Sequence, residues 1–138
     1  MAIKAVIDTN ILVSGLGNAS GAPAKLIDRW LNGQFVLLIS KPIYEEYSRI
    51  LLSHPKVPRD KAETFLNGLS ELAQFVSISE KLKVCKDPSD NIFLETATAG
   101  SAEYLVTKNI KHFPIKRFRQ VQIVRVSKFF SRLEREFK

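Results

Sequence analysis

Three carboxylates in this sequence occupy positions where an acid is either costly or useful. Asp8 closes the β-branched run Ala5-Val6-Ile7 and precedes Thr9 and Asn10. Such a run reads as a buried parallel strand, and open α/β sheets bind ligands beyond the carboxyl ends of their strands. Asp8 equally fits the cap of a turn that Thr9 and Asn10 fill. Glu46 lies in a helix whose apolar stripe is Ile43, Tyr44, Tyr47, Ile50 and Leu51. At about 100° per residue it falls on the border of that stripe, while Glu45 falls opposite. That border suits a cleft or a flanking salt bridge. Asp90 is the third residue of a helix capped by Asp87 and opened by Pro88. It shares the inward side with Phe93, Leu94 and Ala97, whereas Glu95 points away. A carboxylate on an apolar face needs a partner, and either a capping-box contact or a cation supplies one.

Hard divalent cations such as Mg²⁺ and Mn²⁺ take carboxylate and water oxygens. Phosphodiester hydrolysis is served by such an ion, which activates water and neutralises phosphate charge. Other chemistries lack their residues. The chain has no Walker A loop, G-x-G-x-x-G, G-x-S-x-G or H-E-x-x-H. Phosphotransfer through Asp8 would want a second aspartate two residues on, where Asn10 stands. His112, beside Phe113 and Pro114, reads as a packing or surface residue.

These carboxylates depend on elements that alternate along the chain. After the first strand, Gly15, Gly17, Asn18, Ser20 and Gly21 read as a flexible loop, with Pro23 near a helix start. Leu26, Ile27, Trp30 and Leu31 then mark a helix closed by Gly33. Residues 35–39 form a second strand, and Ser40 caps the helix over 41–53. Another helix spans 58–73, with Ala62, Phe65, Leu66, Leu69 and Leu72 inward. A third strand covers 75–78, a fourth 104–107 and a fifth 121–124. Ser127 caps a last helix carrying Phe129, Phe130, Leu133 and Phe137. This alternation predicts one domain over 1–138: a Rossmann-like, three-layer parallel α/β sheet with helices on both faces. Asp8, Glu46, Asp90, Thr107 and Asn109 would then meet at one sheet edge.

Length supports one domain with its own core. The single Cys85 excludes an internal disulfide and reads as a small filler. No apolar run approaches a membrane span, and Lys4 and Asp8 interrupt what would be a signal peptide's apolar region. The expectation is a cytoplasmic protein with no membrane partner. Net charge is +7 and uneven. Residues 108–138 hold ten Lys and Arg, among them Lys108, Arg117 and Arg119, against Glu134 and Glu136 alone. A basic segment on a nearly neutral body fits a polyanion partner or a solvated face.

Read in order, Val6-Ile7-Asp8-Thr9-Asn10, Ser40 with Glu46, Asp87-Pro88-Ser89-Asp90-Asn91 with Phe93, Leu94 and Ala97, and Tyr104-Leu105-Val106-Thr107 resemble a PIN domain. The resemblance covers essentially the whole chain and is strongest to the VapC-like toxin components of prokaryotic toxin–antitoxin pairs. It implies a Mg²⁺- or Mn²⁺-dependent endoribonuclease with Asp8, Glu46 and Asp90 as catalytic and metal-binding residues. It also implies support from Asn10 and Thr107, a small protein antitoxin and a homodimer. Asp87 has no counterpart and keeps its capping role. Two residues after the strand-end hydroxyl the family usually has another aspartate, often preceded by glycine. Here Lys108 and Asn109 stand instead, and an amide oxygen brings a metal ligand without charge.

Two functions follow. The three carboxylates favour the ribonuclease, with Lys108, Arg117 and Arg119 on the RNA backbone. Asn109 favours an RNA- or protein-binding module of the same fold with a weakened or lost site.

Overall fold

The computed structural model describes residues 2–137. Six strands form one sheet: β1 (Lys4–Ile7), β2 (Val36–Ile39), β3 (Gln74–Phe75), β4 (Tyr104–Val106), β5 (Arg117–Phe118) and β6 (Val121–Val124). Their spatial order is β3-β2-β1-β4-β6-β5, so the chain starts in the middle and builds outward. All neighbours run parallel except β5, which pairs antiparallel to β6. The helices are α1 (Thr9–Gly17), α2 (Ala22–Leu31), α3 (Lys41–Ser53), α4 (Arg59–Leu72), α5 (Pro88–Ala99) and α6 (Val126–Glu136), with a 3-10 turn at Ile110–His112. The core is continuous across the sheet: Ala5, Val6, Leu38, Leu94, Leu105 and Leu133 are all fully enclosed. No helix among the described residues is long and apolar enough to cross a membrane.

The central strands are apolar runs with both faces covered, as the sequence implies. Several expectations change. The glycine-bearing stretch after β1 is not loop from Gly15 onward: α1 begins at Thr9 and continues to Gly17, with Gly15 buried inside it. Packing explains that glycine. A Cβ there would meet Ile27 Cδ1 at 2.7 Å and the Pro23 carbonyl oxygen at 3.0 Å, so α1 and α2 cross too closely for a side chain. β3 stops after two residues, extended only by the Val76 N–H donating to the Ile39 oxygen at 2.8 Å. The basic segment contributes an unexpected edge strand, β5, turned into β6 through Arg119 with φ 56°.

The largest correction concerns the outer face of α5. Glu95 is buried rather than solvent-facing, and its carboxylate accepts the Leu82 N–H at 2.8 Å. Asn91 is buried beside it and accepts the Val84 and Cys85 N–H groups at 3.1 and 2.8 Å. The segment 76–87 therefore lies over α5, and its backbone donors are met by helix side chains. Smaller differences fall at helix ends. α6 is capped at Arg125 rather than Ser127, Leu72 is exposed rather than inward, and Leu31 and Phe137 are exposed as well. Ser40 does occupy the cap of α3, but its hydroxyl pairs with that of Thr96 at 2.8 Å instead of a helix N–H.

Candidate active site

Asp8 is the last residue before α1 and sits at the carboxyl end of β1. Its N–H donates to the Val106 oxygen at 2.9 Å, which extends the β1–β4 pairing by one step. Beside it, the Thr107 N–H donates to the Val124 oxygen at 2.9 Å. The two neighbouring strand ends are thereby level, and the Thr107 hydroxyl donates to Asp8 Oδ2 at 2.6 Å. Thr107 in turn accepts the Asn109 N–H at 2.9 Å, fixing the chain that leaves β4.

Glu46 approaches from α3. The Thr9 hydroxyl donates to its Oε2, joining the first turn of α1 to the middle of α3. Tyr47, fully buried next along α3, donates its hydroxyl to the Ile7 oxygen just before Asp8. Each of these two acids thus has one oxygen held by a threonine side chain. Asp90, in the first turn of α5, is half-buried, and its Oδ2 lies 3.6 Å from His112 Nδ1. Asp87 caps that helix by accepting the Ser89 N–H at 3.0 Å.

All three acids are held above the ordinary carboxylate range, chiefly by burial. For Asp8 the hydrogen bonds from Thr107 and the Thr9 backbone and the charge of His112 pull the other way. For Glu46 the Thr9 hydrogen bond lowers and the charge of Asp8 raises. For Asp90 the charge of Asp8 raises and His112 lowers. The charge of Asp8 thus reaches both Glu46 and Asp90, and that of Glu46 reaches Asp90. Among the described residues, however, no three His, Cys, Asp or Glu side chains are close enough to hold a metal ion by themselves. The donor set is all oxygen and its free charges repel. It fits a hard cation that keeps part of its water shell, the way Mg²⁺ is usually bound. Asn10 adds a buried oxygen, Oδ1, that has no hydrogen-bond partner.

The remaining candidates divide. Asn109 is exposed and tied to the site through its backbone N–H. Lys108 reaches back to α1, where its Nζ donates to the Ser14 hydroxyl. Arg117 and Arg119 are not at this edge. β5 pairs with the first two residues of β6, Phe118 opposite Val121, whereas Thr107 pairs beside Val124 at the other end. Three residues of strand separate those ends, about 10 Å. Arg119 is also engaged by Glu80 in a two-pronged ion pair. Sequence reasoning missed His112, which shares a cleft with Asp90, Asp87 and Lys86. Its only sequence signal was proximity to the end of β4. Cys85 is buried and unpaired, its thiol pushed up to about 11 by burial, in keeping with a filler.

A parallel sheet carrying paired acids and threonines at its central strand ends is the arrangement of a PIN domain. Residues 4–111 match the PIN domain model, and the chain belongs to that family, a family of nucleases. Over 105 residues it is 30% identical to an uncharacterised protein of Methanocaldococcus jannaschii, covering 72% of this chain and 67% of that protein. Among solved structures it is similar to VapBC2 from Rickettsia felis bound to a DNA fragment from their promoter. The TM-score is 0.60 at 18% identity, over 89% of this chain and 98% of that one. VapC20 of Mycobacterium tuberculosis, a Sarcin-Ricin loop cleaving toxin, gives 0.48 at 14% identity over 73% and 86% of the two chains.

Proposed function

We propose that this protein is a divalent-metal-dependent endoribonuclease and the toxin half of a toxin–antitoxin pair, acting in the cytoplasm as a homodimer restrained by a small protein antitoxin. The observation that carries the catalytic part is the set of acids from three distant segments in which the charge of Asp8 raises both Glu46 and Asp90 and that of Glu46 raises Asp90. Such mutual repulsion is tolerable where a cation is taken up. Family membership supplies the nuclease class, and the toxin–antitoxin setting is drawn from what the VapBC2 relative is.

Asp8, Glu46 and Asp90 would hold the ion, Mg²⁺ or Mn²⁺, with Asn109 close by as an uncharged oxygen. When bound, such an ion neutralises charge on the scissile phosphate and lowers the pKa of a bound water. The chain's own residues do the positioning. The Thr107 and Thr9 hydroxyls each hold one oxygen, of Asp8 and of Glu46 respectively, and so orient the two carboxylates. Tyr47 anchors the strand end through the Ile7 oxygen. Second-layer donors of this kind orient ligands and matter nearly as much as the ligands. His112 lies beside Asp90 in a cleft that Asp87 and Lys86 also line.

The direct experiment incubates a labelled single-stranded RNA with the protein in Mg²⁺, Mn²⁺ or EDTA. Metal-dependent fragments from the wild type and none from Asp8→Asn are expected. RNA binding without cleavage at any metal concentration would replace the enzyme by the binding module that Asn109 favours. Sedimentation with and without the product of a neighbouring small reading frame tests the homodimer and the antitoxin.

A further inference from the structure

Three grooves share a property, two of them along α1 and the third at the start of α6. The first is bordered by Thr9, Asn10, Ser14, His54 and Lys108. The second continues along α1 past Ser14 and Lys108 to Asn18 and Lys56. The third lies at the start of α6, between Lys116, Arg117, Arg125 and Lys128. No Asp or Glu lines any of them, and no Phe, Tyr or Trp does either. Lys108 connects them. Its side chain borders both α1 grooves, and its backbone oxygen accepts from Arg125 Nη1 at 3.2 Å.

Three arginines elsewhere on the chain are committed to acids. Arg29, Arg119 and Arg132 are engaged by Glu134, Glu80, and Glu103 with Glu136. Among the described residues, Lys56, Lys108, Arg117, Arg125 and Lys128 make no ion pair with an acid. A row of unneutralised charges with acid-free walls attracts a polyanion, and unpaired Lys and Arg keep their donors for phosphate oxygens.

We infer that the phosphodiester backbone of a single RNA strand lies along Lys128, Arg125, Lys108 and Lys56, passing the acidic edge on the α1 side, and that Arg119 takes no part. This rests on the ribonuclease reading for the identity of the polyanion. Single strands are commonly gripped by aromatic side chains that stack on bases. With none lining the grooves, the track holds phosphates and is indifferent to sequence.

The test uses Asp8→Asn protein, so that RNA survives the measurement, with labelled polyuridine and polyadenine followed by fluorescence anisotropy across salt. Each phosphate contact to a single strand contributes a log–log slope of about −0.7. Combined Lys56→Gln, Lys108→Gln and Arg125→Gln, which retain hydrogen-bonding groups, should make the slope shallower by about two units. Arg119→Gln should leave it unchanged, and the two RNAs should bind alike. A triple variant with matching melting temperature and an unmoved slope overturns the track, as does an equal loss in Arg119→Gln. If the wild type cuts RNA while the slope stays put, the track falls and the nuclease stands. If the triple variant loses slope but the wild type never cuts, the nuclease falls and the track stands.

Discussion

The two flanks of Asp8 are built differently. Towards α5 lie Asp90, Asp87 and His112, the acids mixed with Lys86 and Lys111 in one cleft. Towards α1 lie Ser14, Lys108 and Lys56, hydroxyl and cations without an acid. A site that binds both a cation and a phosphodiester must keep their opposite charge demands apart. Asp8, at the end of the central strand, is the boundary between them. The difference teaches that the acids gather on one side of Asp8, while the grooves along α1 carry none and Lys108 borders both of them.

Substituting Asp8→Asn should have the largest effect. Cleavage should be lost outright, while RNA affinity holds or improves because a negative charge has gone. An equal loss of RNA affinity, read by anisotropy, would break the division between flanks. Thr107→Val comes next. It frees Asp8 Oδ2 from its only side-chain donor and should raise the metal concentration for half-maximal cleavage by about 10- to 100-fold. The salt slope of RNA binding should not move. Metal titrations with both readouts separate the flanks here.

A pH series sharpens the acidic flank. Asp90 is raised in the folded state by burial and by Asp8. Between the unfolded carboxylate range and its raised value, the folded chain binds more protons than the unfolded one. The stability tied to protonated Asp90 is therefore full below the unfolded pKa and lost as pH rises through the folded pKa. The melting temperature of metal-free wild type minus that of Asp90→Asn should fall as pH rises from the ordinary carboxylate range, and saturating Mn²⁺ should reduce that fall. A difference that rises with pH would mean Asp90 is stabilised as an anion by His112.

Tyr47→Phe removes the donor to the Ile7 oxygen inside the core. An unsatisfied buried carbonyl costs about 1–3 kcal/mol, visible in urea unfolding, with the metal dependence of cleavage altered little. The smallest effect is expected from Asn109→Asp. The residue is exposed, where unit charges about 4 Å apart interact by about 1 kcal/mol, so the metal requirement should drop by roughly fivefold or less. Superimposable titration curves would place Asn109 outside the metal's reach.

By itself the sequence determined the strands of the inner sheet, because runs such as Ala5–Ile7 and Leu37–Ile39 are apolar on both faces and have no alternative use. It also singled out Asp8, Glu46 and Asp90 as candidates, since strand ends and helix wheels are local geometry. Tertiary structure alone decided which charges remain available. Glu95 looks solvent-facing on a wheel, yet the backbone of 76–87 descends on it. Arg119 and Arg125 look equivalent in a basic segment, yet Glu80, 39 positions away, occupies the first, while the second reaches Lys108. His112 became a site residue only when the turn after β4 carried it to Asp90. Local pattern specifies burial and periodicity, whereas the partner of a charge is set by which distant segment arrives within a few ångströms.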